Sequence, residues 1–221
     1  MSVDARQRIL ATLRAGLAAA PLNVPAPPAR PASLAVSTHG DPDAWALLAE
    51  VLAPLDVRLR LAKTPAEAAQ HVADIARERG AQSYARWEHM PPALDMDDAL
   101  AGLTRVFPDC CQALAHVDIG LTFAQAALLD SGSLVLVAGR ERPRSVSLLP
   151  PSHVCLLPRS ALAPDVSTLP ELLRNHVDAA GLLPSCLNLV TGPSSTADIE
   201  LVLVRGVHGP GALDIVGLDW L

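Results

Sequence analysis

Aromatic side chains are scarce in this chain: of 221 residues, two are Phe, one is Tyr and three are Trp. That excludes a core built on large rings, so Ala, Leu and Val must fill it. Half of the residues are hydrophobic, enough for one large α/β domain or one domain plus an extension. Lysine is almost absent. Lys63 stands alone among 17 basic residues and sits between a strand-like run and Thr64-Pro65. A solvated surface position is the ordinary place for a lysine, which leaves Schiff-base chemistry without a candidate. No basic face stands out against a net charge of −6, so nucleic acid is not an expected partner.

The four cysteines, Cys110, Cys111, Cys155 and Cys186, form no Cys-x-x-Cys pair. Neither a zinc set nor the close run of thiolates of an iron–sulfur cluster is present, so neither metal nor cofactor is expected here. Cys155 and Cys186 lie in apolar strand-like runs, where cysteine simply packs; the vicinal pair Cys110-Cys111 either packs too or is redox-active. No stretch approaches the 18 apolar residues of a membrane span. The charged, amphipathic opening lacks the apolar centre of a signal peptide, and a cytoplasmic location is expected. The G-x-S-x-G elbow, the Walker loop and G-x-G-x-x-G are missing too, which removes the usual support for a hydrolase, an NTPase and a dinucleotide-binding dehydrogenase.

What is present is an alternation of helical and strand-like segments. Ile9, Leu10, Leu13 and Leu17 recur at helical spacing between Ser2 and Ala20. Five prolines from Pro21 to Pro31 then forbid regular structure. Residues 1–36 therefore read as an amphipathic helix on a tether, and 37–221 as the compact domain. The helix either engages a partner or folds back on its own domain. Val57 to Leu61 alternates as a strand near a sheet edge does. Thr64, Pro65 and Glu67 open a helix that Gly80 closes. Ser133 to Ala138, His153 to Leu157 and Leu187 to Val190 are continuous apolar runs, the pattern of strands buried on both faces. Phe123 to Leu128 reads as a helical turn. The whole predicts an α/β layered fold with a mostly parallel sheet.

Polar residues collect where strands should end. Leu187 to Val190 runs into Thr191-Gly192-Pro193 and then Ser194-Ser195-Thr196-Ala197-Asp198-Ile199-Glu200. Such a loop, opening a helix, would hold a phosphate or carboxylate on its hydroxyls and backbone N–H groups. Capping by Ser195 and Asp198 is the plainer reading, but it leaves Ser194, Thr196 and Glu200 unused. His208, in Gly206-Val-His-Gly-Pro210, is either a general acid or base or an ordinary turn residue. Asp130-Ser131-Gly132 places a carboxylate that is a base, a nucleophile or a turn former. Arg140, Arg142 and Arg144 suit an anion but equally suit a solvated hairpin tip. Thr122 closes a further polar segment, Asp118-Ile-Gly-Leu-Thr122. The candidate set is thus His208, Glu200 and Asp130 for proton transfer. For ligand binding it is Thr122, Ser131, Gly132, Arg144, Gly192, Ser194, Ser195, Thr196 and Asp198.

These segments, with Ser147-Leu-Leu-Pro-Pro-Ser-His-Val154 among them, occur in an order that resembles the lactate utilization protein C family, also called the LUD domain or YkgG family. The likeness spans roughly Val117 to Val216. It implies a three-layer α/β/α fold like that of NagB, RpiA and CoA transferases. It also implies a part in oxidising L-lactate to pyruvate beside iron–sulfur subunits, with this chain a non-redox component that binds a small carboxylate or organises the complex. The same fold also serves stand-alone enzymes acting on a sugar phosphate, a CoA ester or a folate. Two departures stand out: Asp130-Ser131-Gly132 replaces the family's Glu-Thr-Gly, and Ser195 stands where the family often has arginine. An anion grip is then lost or supplied by Arg140, Arg142 or Arg144.

Overall fold

The structure is a computed structural model and describes residues 3–19, 43–108, 111–177, 181–197 and 203–221. The chain divides into two units, residues 1–33 and 34–221. In the first, α1 (Val3–Ala19) exposes Ile9, Leu10 and Leu13. The proline-rich stretch lies outside the described residues.

The second unit opens with α2 (Ala44–Leu52), which buries Trp45, Leu48 and Leu52. The edge strand β1 (Arg58–Ala62) follows, then α3 (Pro65–Glu78). The start of α3 is built much as its sequence predicts. The Thr64 hydroxyl accepts from the Glu67 N–H at 3.2 Å, and the Glu67 carboxylate reaches back to the N–H of Lys63, one residue beyond the usual box partner. Gly80 ends the helix with φ +65°, where any other residue carries a Cβ penalty. Next come β2 (Ser83–Arg86), β3 (Thr104–Arg105), α4 (Cys111–Leu114) and β4 (Ile119–Phe123). The strands β5 (Ala126–Leu128) and β6 (Ser133–Val137) precede α5 (Ser145–Leu148) and β7 (Ser152–Pro158). The chain continues through β8 (Leu162–Ala163), α6 (Leu169–Arg174), β9 (Leu187–Val190), β10 (Ser195–Ala197), β11 (Leu203–Arg205) and β12 (Ala212–Leu218).

Six of these strands form the central sheet in the order β1-β12-β7-β4-β2-β3, every pair parallel. Its central strands are buried on both faces, and successive residues serve opposite cores. Val154, Leu156 and Val216 pack against Val72, Ile75 and Ala76 of α3. Cys155, Leu157, Leu213 and Ile215 face the other way, toward Leu48 and Leu52 of α2, Val146 of α5 and Leu134 and Leu136 of β6. The α/β class with a mostly parallel sheet and flanking helices is as the sequence predicts.

Several elements differ from expectation. Leu187–Val190, expected to be buried on both faces, is a strand only partly buried, with Leu189 exposed. The 123–128 segment is not a helical turn: Ala126–Leu128 is a strand, all three residues buried. It belongs to a second sheet, β8-β5-β6-β9, in which β6 runs antiparallel to both β5 and β9. The buried run from Ser133 is therefore a strand of this mixed sheet and not of the parallel one. Its full burial comes from being sandwiched, with Leu134 and Leu136 toward the central sheet and Val135 toward Leu169 and Leu172 of α6.

Candidate functional site

Hydroxyl groups line the end of the mixed sheet where β6 begins and β9 stops. In the turn before β6, Gly132 takes φ +69° and its N–H donates to the Leu128 carbonyl at 2.8 Å. A side chain there would lie 3.1 Å from Leu52 and 3.2 Å from Val51. The Ser131 and Ser133 hydroxyls share a hydrogen bond of 2.9 Å, and Ser133 shares another of 2.6 Å with Thr191. Gly192 follows at φ +91°, where an added Cβ would sit 3.4 Å from Leu55. The Asp130–Gly132 turn and the Thr191–Gly192 turn are thus neighbours, coupled by three hydroxyls and both resting on the turn after α2.

The next residues join a third segment. The Ser194 N–H donates to the Pro210 carbonyl at 2.8 Å, and the Ser194 carbonyl accepts from Gly206 at 2.9 Å. Gly209 lies so close that an added Cβ would be 3.2 Å from that of Ser194. His208 is exposed at the tip of this turn. The turn is anchored in its own right, because the Gly211 N–H donates to the Pro151 carbonyl at 2.9 Å, just before β7. It therefore lies at the amino ends of β7 and β12, whereas open parallel sheets usually bind ligands beyond their carboxyl ends.

The helix expected after Gly192 does not begin at Ser194: β10 pairs antiparallel with β11, placing Ser195 opposite Arg205 and Thr196 opposite Val204. Cross-strand pairing takes up the backbone groups on the inner side of this two-stranded ribbon, so no helix start presents its N–H groups to an anion there. Ser195 turns its hydroxyl back onto the Pro193 carbonyl at 3.2 Å. Asp198 and Glu200 lie outside the described residues.

Arg205 and Asp56 are the residues that sequence reasoning missed. The Arg205 guanidinium donates to the Asp56 carboxylate and so ties the hairpin to the turn after α2. Asp56 holds the left-handed conformation at φ 56°, the sole described residue other than glycine with positive φ. Hydrogen bonding and charge from Arg205 hold its carboxyl below the usual carboxylate range. Nothing local marks either residue, since they are 149 positions apart.

Three other candidates stand elsewhere. Thr122 is wholly buried in β4 and shares a 2.8 Å hydrogen bond with His153 Nε2 of β7, inside the core between the sheets. Arg144 is exposed at the start of α5. The segment leading to it is fastened to the carboxyl end of β2, where Glu88 donates to the Glu141 carbonyl and Trp87 Nε1 to the Pro143 carbonyl. Asp130 is exposed at the mouth of a mostly apolar cleft of about 380 Å³, with Leu47, Val51, Leu129 and Pro164 as walls and Glu50 and Asp165 beside it. Among the described residues no three His, Cys, Asp or Glu side chains group as metal ligands, and no helix is long and apolar enough to cross a membrane.

Comparison with known proteins fits this geometry into a family. Residues 47–216 match the LUD domain model. The lactate utilization protein C of Bacillus licheniformis is 39% identical over 113 residues, covering 51% of this chain and 45% of that protein. The protein of the same name from Halalkalibacterium halodurans is 47% identical over 95 residues, 43% of this chain and 41% of that one. The protein YkgG of Escherichia coli is 47% identical over 92 residues, 42% of this chain and 40% of that one. The matched stretches thus span less than half the length of these relatives. The crystal structure of a DUF162 family protein from Deinococcus radiodurans superposes with a TM-score of 0.58 at 17% identity, over 80% of this chain and 97% of the other, which supports the fold. With a family model matching well over half of its residues, the chain belongs to the LUD domain family.

Proposed function

We propose that the chain is a cytoplasmic, non-redox component of an L-lactate utilization system, binding a small carboxylate while iron–sulfur partner subunits carry the electrons. The supporting observation is the joined set of turns: Ser131, Ser133 and Thr191 hydrogen-bonded in series, continuing into Gly192 and Ser194 and stitched to the turn that carries His208. Hydroxyls and close-approaching glycine backbone suit a carboxylate, and an exposed imidazole beside them suits the proton of a neighbouring alcohol. Lactate carries both groups. Oxidation to pyruvate releases two electrons and two protons; in this reading His208 takes the hydroxyl proton, while the electrons and the second proton leave through the partners. Asp130 and Glu200 are the further carboxylates proposed for proton transfer. Gly132, Ser195, Thr196 and Asp198 complete the proposed binding surface; Thr122, buried in the core, takes no part in it.

Titration of the isolated protein with L-lactate, inorganic phosphate and acetyl-CoA, followed by amide shifts in NMR, tests this reading. L-Lactate is expected to shift residues of the 191–196 and 206–211 turns. Ser194→Ala is expected to weaken that binding by about tenfold to hundredfold, the loss of one hydrogen bond to a charged group. Shifts with phosphate or acetyl-CoA but none with lactate would select a stand-alone enzyme of the same fold.

The proposed contact with the partners is α1, which exposes Ile9, Leu10 and Leu13 on a helix carrying Arg6, Arg8 and Arg14. Exposed apolar anchors at this spacing are what a helix uses to enter a groove. Removing residues 1–36 is expected to abolish co-purification with the iron–sulfur subunits while leaving the thermal midpoint of the remaining domain in place. An intact complex would reject α1 as the contact.

A further inference from the structure

We propose that Arg205 is the residue that grips the ligand carboxylate, and that Asp56 occupies its guanidinium until the ligand arrives. This rests on the small-carboxylate reading above and gives it a specific anchor and a built-in competitor.

The register of the hairpin carries the first half. Ser195 and Arg205 are directly opposed in an antiparallel pair, so their side chains leave the ribbon on the same side. Arg205 also immediately precedes Gly206, whose N–H is held by the Ser194 carbonyl at 2.9 Å. A guanidinium is therefore delivered to the hydroxyl-lined turns by a strand fastened to them. A planar fork of N–H donors is the side chain best matched to a carboxylate, and no lysine stands near in the sequence to serve instead.

The second half comes from what the fork holds now. It is engaged by a carboxylate, that of Asp56, presented from a turn that also supports both glycine turns through Leu55. The left-handed backbone at Asp56 is an unusual conformation for a residue with a side chain, and it fixes the direction from which the carboxylate comes. Yet the pair is open to solvent, with 43% of the Arg205 side chain and 67% of the Asp56 side chain exposed. Exposed pairs of this kind are weak and are broken at little cost. Asp56 thus reads as a stand-in for the ligand. A two- or three-carbon monocarboxylate, small enough to reach past the hairpin, takes the Nη1 donor that Asp56 now holds while its remaining groups meet the Ser194 and His208 side. The exchange makes and breaks ion pairs only.

The test is calorimetric titration of the full chain with sodium L-lactate, comparing wild type with Arg205→Ala, Arg205→Lys and Asp56→Asn. Asparagine tolerates the left-handed conformation as aspartate does, so Asp56→Asn leaves the turn in place. Arg205→Ala is expected to weaken lactate binding by about tenfold to hundredfold, and Arg205→Lys by less. Asp56→Asn is expected to strengthen it by about twofold to fivefold, since the competitor is gone. A merely structural ion pair gives the opposite sign for Asp56→Asn, and that result overturns the proposal. Unchanged affinity in a folded Arg205→Ala protein also overturns it while leaving the carboxylate site standing. If neither wild type nor Asp56→Asn binds lactate, both readings fall together.

Discussion

Gly120→Ala is expected to destabilise the domain by about 3 kcal/mol or more, the upper range for a group forced into a filled core. A Cβ built on Gly120 of β4 would lie 1.8 Å from the Val146 carbonyl oxygen and 2.9 Å from its carbon. Both are backbone atoms of α5, so no rotamer change relieves the clash. The helix must lift from the sheet, and the fully buried Val146 side chain lifts with it. For a domain of this size the loss corresponds to a fall of roughly 6–12 °C in thermal midpoint. Gly217 makes an instructive contrast. Its Cβ would approach Leu61 Cδ2 at 2.7 Å, the exposed end of a side chain that can turn away, and the buried Trp45 ring at 2.9 Å, so the clash is with side chains and not with backbone. Gly102→Ala is the control, since no atom lies within 4 Å of its added Cβ, and it should stay within about 0.5 kcal/mol of wild type. Urea unfolding of the three proteins checks the order. Equal midpoints for Gly120→Ala and Gly102→Ala would refute the close approach of α5 to β4. The damage should also reach the site, because α5 leads into Pro151, whose carbonyl holds Gly211 beneath the His208 turn.

Acid is expected to cost this fold about 3 kcal/mol between pH 6.5 and 4 through a single buried imidazole. His153 is 1% exposed, and burial pushes it down to about 4. One ring nitrogen meets Thr122; the other, Nδ1, is buried and has no hydrogen-bond partner among the described residues. In the unfolded chain the ring titrates near 6.5, so from there down to 4 the unfolded state holds a proton that the folded state refuses. Unfolding takes up that proton, and stability falls as pH falls; below 4 both states are protonated and the loss levels off. Neighbouring Cys155 gives no compensating charge, because burial raises its thiol to about 12. The carboxyls of Asp97, Asp118 and Asp219 are all held low by their hydrogen-bonding partners. Their contribution is lost only as pH drops below the ordinary aspartate value, so the two windows separate. The double variant His153→Leu, Thr122→Val removes both polar partners together and should flatten the slope between pH 6.5 and 4. Half-buried His176, also shifted down, leaves a small slope of the same sign. Urea midpoints at pH 7, 5.5 and 4 measure this. A double variant as acid-sensitive as wild type would clear His153 of the effect.

Local pattern carried much of the architecture. The uninterrupted apolar runs of β6 and β7 could only be strands buried on both sides, and the Thr64-Pro65-Glu67 start and the Gly80 end of α3 are readable at the level of single hydrogen bonds. Sequence could not say which sheet β6 joins, because burial on two faces looks the same beside parallel and antiparallel neighbours. Ala126-Ala127-Leu128 read as helical because three residues hold no period and alanine favours helices; packing against β6 overrode that propensity. The same happened after Gly192, where Ser and Thr suit a helix cap and a hairpin alike. Of the candidate site, the adjoining turns at 130–132, 191–194 and 206–211 were all visible as polar segments, but the pairing that joins them was not. Ser133 with Thr191, Ser195 with Arg205 and Arg205 with Asp56 are tertiary facts. Thr122 looked like a loop hydroxyl because Asp118 precedes it by four residues, and the parallel register with β7 is what draws it into the core.

The insertion of β12 between β1 and β7 also dictates when this sheet can exist at all. A ribosome making the chain delivers β1 early, yet the strand that must lie beside it spans residues 212–218. Until those residues emerge, β1 and β7 have a vacant slot between them, two unsatisfied edges of the kind that invite pairing with other chains. Closing the sheet joins β1 (Arg58–Ala62) to β12 (Ala212–Leu218), segments far apart in sequence, which makes for slow folding. The nascent protein is therefore most exposed to misassembly in the interval after β7 has emerged and before β12 has, while the slot between β1 and β7 stands empty.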